Sequence, residues 1–97
     1  MLSQFDNDLV YGRLRAVVEH DAGVLARLLE LFAARGATPL SLEYRIDPRA
    51  QPPLGRLRVD AELGAHDWQI LCARAAQAVG VLEFSEDSCA FADAKAA

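Results

Sequence analysis

Val18-Glu19-His20-Asp21-Ala22-Gly23-Val24-Leu25-Ala26-Arg27 is the stretch on which the reading of this chain turns. An extended apolar segment stops at a short acidic loop, and a single glycine then opens an amphipathic helix. A strand-to-helix turn leaves the first backbone N–H groups of the helix without partners. It also carries the partial positive charge of the helix N-terminus, which suits a small carboxylate.

Upstream of the turn, Val10, Leu14, Ala16 and Val18 alternate with Tyr11, Arg13 and Arg15. This period of two predicts a half-buried strand over residues 10–18. Downstream, Leu25, Leu28, Leu29 and Phe32 fall on one face of a helix over 23–35, with Val24 and Leu31 outside that stripe. Gly36 occupies the C′ position, and Pro39 stops continuation. Alternation resumes in a second strand, 40–47, with Leu40, Leu42, Tyr44 and Ile46 expected inward. Three prolines in 48–53 exclude regular structure there. A third strand, 55–63, places Leu57, Val59, Ala61 and Leu63 on one face and Arg56, Arg58, Asp60 and Glu62 on the other.

A second helix over 67–79, capped by His66 or Asp67, is expected to bury Trp68, Leu71, Cys72, Ala75 and Val79. Gly80 ends it, and 81–86 forms the fourth strand with Leu82 and Phe84 inward. The order βαββαβ, with one apolar face per strand and one stripe per helix, specifies an α+β, ferredoxin-like domain. Its four-stranded antiparallel sheet carries both helices on one face, with the first and third strands central. Residues 10–87 make this domain, preceded by a flexible N-terminus (1–9) and followed by a tail (88–97) frayed beyond residue 90.

The 97 residues suit one domain, and a 53% hydrophobic, 25% charged composition is that of a globular protein. A net charge of −4 argues against nucleic acid, and of the outward sheet residues only Tyr11 is aromatic. No segment reaches the ~20 apolar residues of a membrane span, and the N-terminal residues lack a signal-peptide pattern, so a cytoplasmic protein is expected. Cys72 and Cys89 share no metal-ligand spacing and read as reduced thiols.

His20 beside Asp21 raises the question of a metal site or an acid–base pair. A metal needs three or four converging ligands, and the other histidine, His66, belongs to the opposite end of the topology. No serine or cysteine is placed as a nucleophile near the loop, so no catalytic role is expected. The outward charges form either a docking face for a protein or a solvated face paired across strands, with Glu83 beside Arg13 and Glu43 beside Arg58.

Val17-Val18-Glu19-His20-Asp21-Ala22-Gly23-Val24-Leu25-Ala26-Arg27, then Leu31-Phe32-Ala33-Ala34-Arg35-Gly36 and Ser41-Leu42, resembles the opening of ACT domains. The resemblance is greatest to the small regulatory subunit of acetolactate synthase (acetohydroxyacid synthase). There the turn typically reads Asp/Asn-x-Pro-Gly-Val-Leu and the helix ends in Leu-Phe-x-x-Arg-Gly. It spans about residues 10–86, its specific part is the first half, and the length suits small subunits that are little more than one ACT domain.

The resemblance implies a non-catalytic regulatory subunit that pairs as a homodimer and binds a small amino-acid effector, usually valine, between protomers. The ligand-binding positions it implies are His20, Asp21, Ala22, Gly23, Val24, Leu25 and Thr38, with Gly23 and Val24 offering N–H groups to the ligand carboxylate. The second strand of the neighbouring protomer closes the site. A large catalytic subunit, not this chain, carries thiamine diphosphate, magnesium and FAD.

The sequence departs from the family at the site. His20 stands where Asp or Asn is usual, Ala22 replaces a proline, and Ala37-Thr38-Pro39 replaces Phe/Tyr-Asn-Ile. An effector other than valine, or activation of the partner without one, fits these changes. A stand-alone ACT-like amino-acid sensor with no enzyme partner is the alternative.

Overall fold

A computed structural model describes residues 8–90; residues 1–7 and 91–97, which hold most of the expected N-terminal segment and tail, lie outside it. The chain runs β1 (Leu9–Glu19), α1 (Ala22–Ala33), β2 (Pro39–Asp47), β3 (Leu54–Gly64), α2 (Ala65–Ala76) and β4 (Val81–Ala90). The sheet order is β2-β3-β1-β4 with every pairing antiparallel, so β1 and β3 are central as expected. This is the ferredoxin-like βαββαβ arrangement.

The core forms where the period-two face of the sheet meets the two helical stripes. Leu14, Ala16 and Val18 of β1 and Leu57, Val59, Ala61 and Leu63 of β3 lie beneath Val24, Leu28 and Phe32 of α1 and Trp68, Leu71, Cys72 and Ala75 of α2. Full burial of each large apolar side chain contributes about 1.5–3 kcal/mol. Gly12 leaves room for the indole of Trp68: a Cβ there would lie 2.7 Å from ring atoms. The indole Nε1–H donates to Glu86 Oε1 on β4 (3.0 Å), which satisfies its one polar atom. Burial, with Glu86 nearby, pushes the Cys72 thiol up to about 12, so it is an inert core residue. Cys72 and Cys89 are both free thiols, as expected.

The helix ends follow their local sequence. Asp21 caps α1, its carboxylate accepting from Gly23 N–H at 2.8 Å. At the other end Gly36 (φ 66°) closes a Schellman turn, with Ala37 N–H donating to Phe32 O and Gly36 N–H to Ala33 O.

Several expectations are corrected. Leu42 and Ile46 face the helix side of the sheet but stay exposed (45% and 48%), because β2 is an edge strand that the helices leave uncovered, and Leu40, the extra residue of a register shift between Pro39 and Ser41, is exposed too (55%). Val24 is not outside the core stripe: it is 3% exposed and packs against Gly80. The second helix starts at Ala65 with Gly64 at its N-cap, so His66 and Asp67 lie inside its first turn rather than at the cap position, and it ends at Ala76. Val79 therefore sits in the following turn and is 78% exposed. β4 reaches Ala90, so residues 88–90 belong to the sheet rather than to a tail. A bulge opposite Val17 and Val18 makes Leu82 the extra residue and leaves it exposed, whereas Phe84 packs against the core.

Candidate functional site

The turn that opened the sequence reading lies at one end of the sheet and is held from two sides. Glu19 N–H donates to Gly80 O (2.8 Å) and His20 N–H donates to Pro53 O (3.1 Å). The loop before β3 and the turn before β4 thus fix the backbone from which His20 projects. His20 Nδ1 lies 3.0 Å from the Tyr44 hydroxyl, with the ring centroids 6.0 Å apart. Tyr44 reaches His20 because β3 offers Gly55 beneath its phenol, where any side chain would collide with the ring. Sequence reading missed this pair; a glycine inside a strand, opposite an aromatic strand, was its signal.

Asp21 already engages the first N–H groups of α1. Its carboxylate accepts from Gly23, and its carbonyl oxygen accepts from Val24 (3.0 Å) and Leu25 (3.3 Å). A ligand carboxylate at Gly23 and Val24 would have to compete with Asp21. Gly23 itself is not demanded by the fold: its φ is not positive, and a Cβ would make only ordinary contact, 3.4 Å from Asp21 Oδ1. Ala22 is exposed and Leu25 half-buried beside it.

Of the expected ligand-binding positions, the structure brings residues 20–25 together at this end. Thr38 lies just before Pro39, which pairs with Ala61, whereas Ile46 at the other end of β2 pairs with Gly55 beside Val18. Within one copy Thr38 is therefore a strand length away from His20.

The open face of the sheet, away from the helices, carries the outward charges. Arg13 binds Asp60 with two hydrogen bonds (Nε to Oδ1 2.7 Å, Nη2 to Oδ2 3.0 Å), and the Tyr11 hydroxyl donates to Asp60 Oδ2 (3.1 Å). Asp60 is only 4% exposed, and these donors, the Arg13 hydrogen bond foremost, hold its carboxyl below the usual carboxylate range against the cost of burial. Glu43 pairs with Arg58 as expected (3.9 Å), but Glu83 does not lie beside Arg13. The register sets Glu83 opposite Val17 and puts Asp87 and Asp60 on either side of Arg13. No group of three or more His, Cys, Asp or Glu among the described residues could hold a metal ion, and no described helix is long and apolar enough to cross a membrane.

The fold is one that ACT domains adopt. It superposes on the ACT domain of GTP pyrophosphokinase from Chlorobium tepidum with a TM-score of 0.63 at 11% identity, over 84% of this chain and 99% of that one. A homoserine dehydrogenase from Thiobacillus denitrificans contains the same arrangement (TM-score 0.67, 10% identity, 87% of this chain), although the match spans only 18% of the dehydrogenase. The C-terminal domain of the MgtC protein from Mycobacterium tuberculosis is also similar (TM-score 0.56, 16% identity, 90% of this chain and 95% of that one). No protein-family model matches the sequence, and no curated protein matches it either. Identities this low establish a shared fold, and a shared fold does not assign a function.

Proposed function

We propose that this protein is a non-catalytic regulatory module that holds a small amino acid at the β1–α1 turn, between two copies of itself. The observation that carries the reading is Gly23. Neither backbone angle nor packing requires a glycine there, so the absent side chain serves access to the helix start rather than folding. Around that opening stand the Asp21 carboxylate, suited to an ammonium group, and the His20–Tyr44 pair, which offers both donor and acceptor capacity.

The second copy is argued from β2. Among the described residues its edge is unpaired, its Leu42 and Ile46 stand uncovered on one face, and Leu40 is exposed beside them. Antiparallel pairing of two β2 strands about a two-fold axis at Leu42 covers these residues. The same pairing sets the partner's Thr38 opposite Ile46, at the His20 end, and so completes a site that one copy leaves open. The sequence resemblance narrows the reading to a small subunit of acetolactate synthase type, with a branched-chain amino acid as effector and a thiamine-diphosphate-dependent large subunit as partner.

Calorimetric titration with the twenty amino acids tests the site. Valine, leucine or isoleucine is expected to bind at one site per two-fold-related turn, and G23A to abolish binding. Because alanine outranks glycine in helices by about 0.5–1 kcal/mol, G23A is expected to melt no lower than the parent. Absence of binding by all twenty, or G23A binding unchanged, overturns the reading. Co-purification with an acetolactate synthase large subunit, and a change in its activity or valine response, tests the partner. Amino-acid binding without that effect marks a stand-alone sensor.

A further inference from the structure

The open sheet face carries a second feature that the turn does not explain. Reading across the sheet, Glu43, Arg58, Arg15 and Ser85 form one row, and Arg45, Arg56, Val17 and Glu83 the next. Arg15 therefore lies directly opposite Arg58, and Arg45 directly opposite Arg56. Directly opposed side chains of neighbouring strands stand about 4.5–5.5 Å apart at Cβ, and like charges so placed destabilise a sheet. Folding gains nothing from either pair.

The acceptors at hand do not match the donors. Glu43 is shared between Arg45 (3.0 Å) and Arg58 (3.9 Å), and among the described residues Arg15 reaches only Asp87 (3.4 Å). Arg56 has no carboxylate partner among the described residues, and Arg58 Nε is enclosed without an acceptor. These four guanidiniums rim a shallow concavity of about 580 Å³ whose floor includes Val17, with Glu43 and Glu83 as its two acids. With Asp87 beside Arg15 counted as well, four positive and three negative groups leave it at +1 on a chain whose net charge is −4. Four of the nine arginines meet here. Arginine in preference to lysine matters, because its planar fork takes an oxyanion through two hydrogen bonds at once.

We propose that this face binds a small molecule carrying two or more phosphate groups, seated between Arg56 and Arg58 of β3 and flanked by Arg15 and Arg45. A multiply charged phosphate ester or anhydride neutralises both opposed pairs and supplies the acceptor that the Arg56 guanidinium lacks. A single carboxylate is too small to span both rows. The volume falls within the roughly 300–1,000 Å³ of small-ligand sites. The face lies on the other side of the sheet from the helices, so this inference stands independently of the amino-acid reading of the turn.

Titration of the full chain with inorganic pyrophosphate and triphosphate at low ionic strength tests it, with orthophosphate, citrate and a poly-glutamate peptide alongside. Pyrophosphate and triphosphate are expected to bind at least tenfold more tightly than orthophosphate or citrate, and more weakly as salt rises. R56Q/R58Q is expected to weaken them at least tenfold, while R49Q, in the loop after β2, leaves binding unchanged. Relief of the opposed charges should keep the melting temperature of R56Q at or above that of the parent, which separates a ligand role from a structural one. Citrate or poly-glutamate binding as tightly as pyrophosphate, an unaffected double variant, or an R56Q melt below the parent overturns the proposal.

Discussion

At the scale of single residues, two glycines show how one substitution draws on different physics. A methyl group on Gly12 collides with the buried indole of Trp68 at 2.7 Å, and both belong to the packed centre. G12A is expected to lose about 1–3 kcal/mol by overpacking, read from urea unfolding followed by the fluorescence of the one tryptophan. Gly36 has open space around its Cβ position but sits at φ 66°, so G36A is expected to lose only about 1–2 kcal/mol, from backbone conformation. Asp60 gives a pH signature. Its folded carboxyl titrates below the unfolded value near 3.8, so its contribution is present above that value and is lost as pH falls through the lower, folded one. In thermal melts from pH 5 down to pH 2, D60N is expected to start less stable and to show a shallower acid decline than the parent. An equal decline would show that Asp60 does not carry the linkage. Arg13 opposite Asp60 was legible only as a charged outward residue, since strand register, not local sequence, selects its partner.

At the scale of elements, β2 departs furthest from its pattern. Alternation of Leu40, Leu42, Tyr44 and Ile46 marks a strand with an apolar face, and the strand forms where expected. What alternation cannot say is whether anything lies above that face. The edge position leaves it bare, apart from Tyr44, which turns inward over Gly55. L42K is therefore expected to leave the fold intact, since Leu42 is already 45% exposed, while driving light-scattering mass from dimer to monomer. A parent that is itself monomeric at micromolar concentration would remove the pairing from the proposed function. The second helix shows the complementary failure. Its apolar stripe continues to Val79 on paper, but the helix ends at Ala76 because the chain must turn through Gly80 (φ 94°) to enter β4.

At the scale of the whole molecule, the proposed dimer makes stability depend on concentration. Raising the protein tenfold is expected to raise the melting temperature measurably, and a branched-chain amino acid to raise it further, by mass action on the folded pair. A melting temperature independent of both would leave a self-sufficient monomer with an empty turn. The sequence by itself determined the order βαββαβ, the central pair of strands, most of the core and the C′ glycine Gly36, because periodicity and helix-stop signals are local. It also pointed to the turn at residues 20–25, whose helix-opening chemistry is local too. Only the tertiary structure decided which apolar residues stay uncovered, that His20 meets Tyr44 over Gly55, that Thr38 lies a strand length away, and that Arg15, Arg45, Arg56 and Arg58 share one face in opposed pairs. Each of those depends on strand register and sheet order, which join residues far apart in the chain and leave no local period to read.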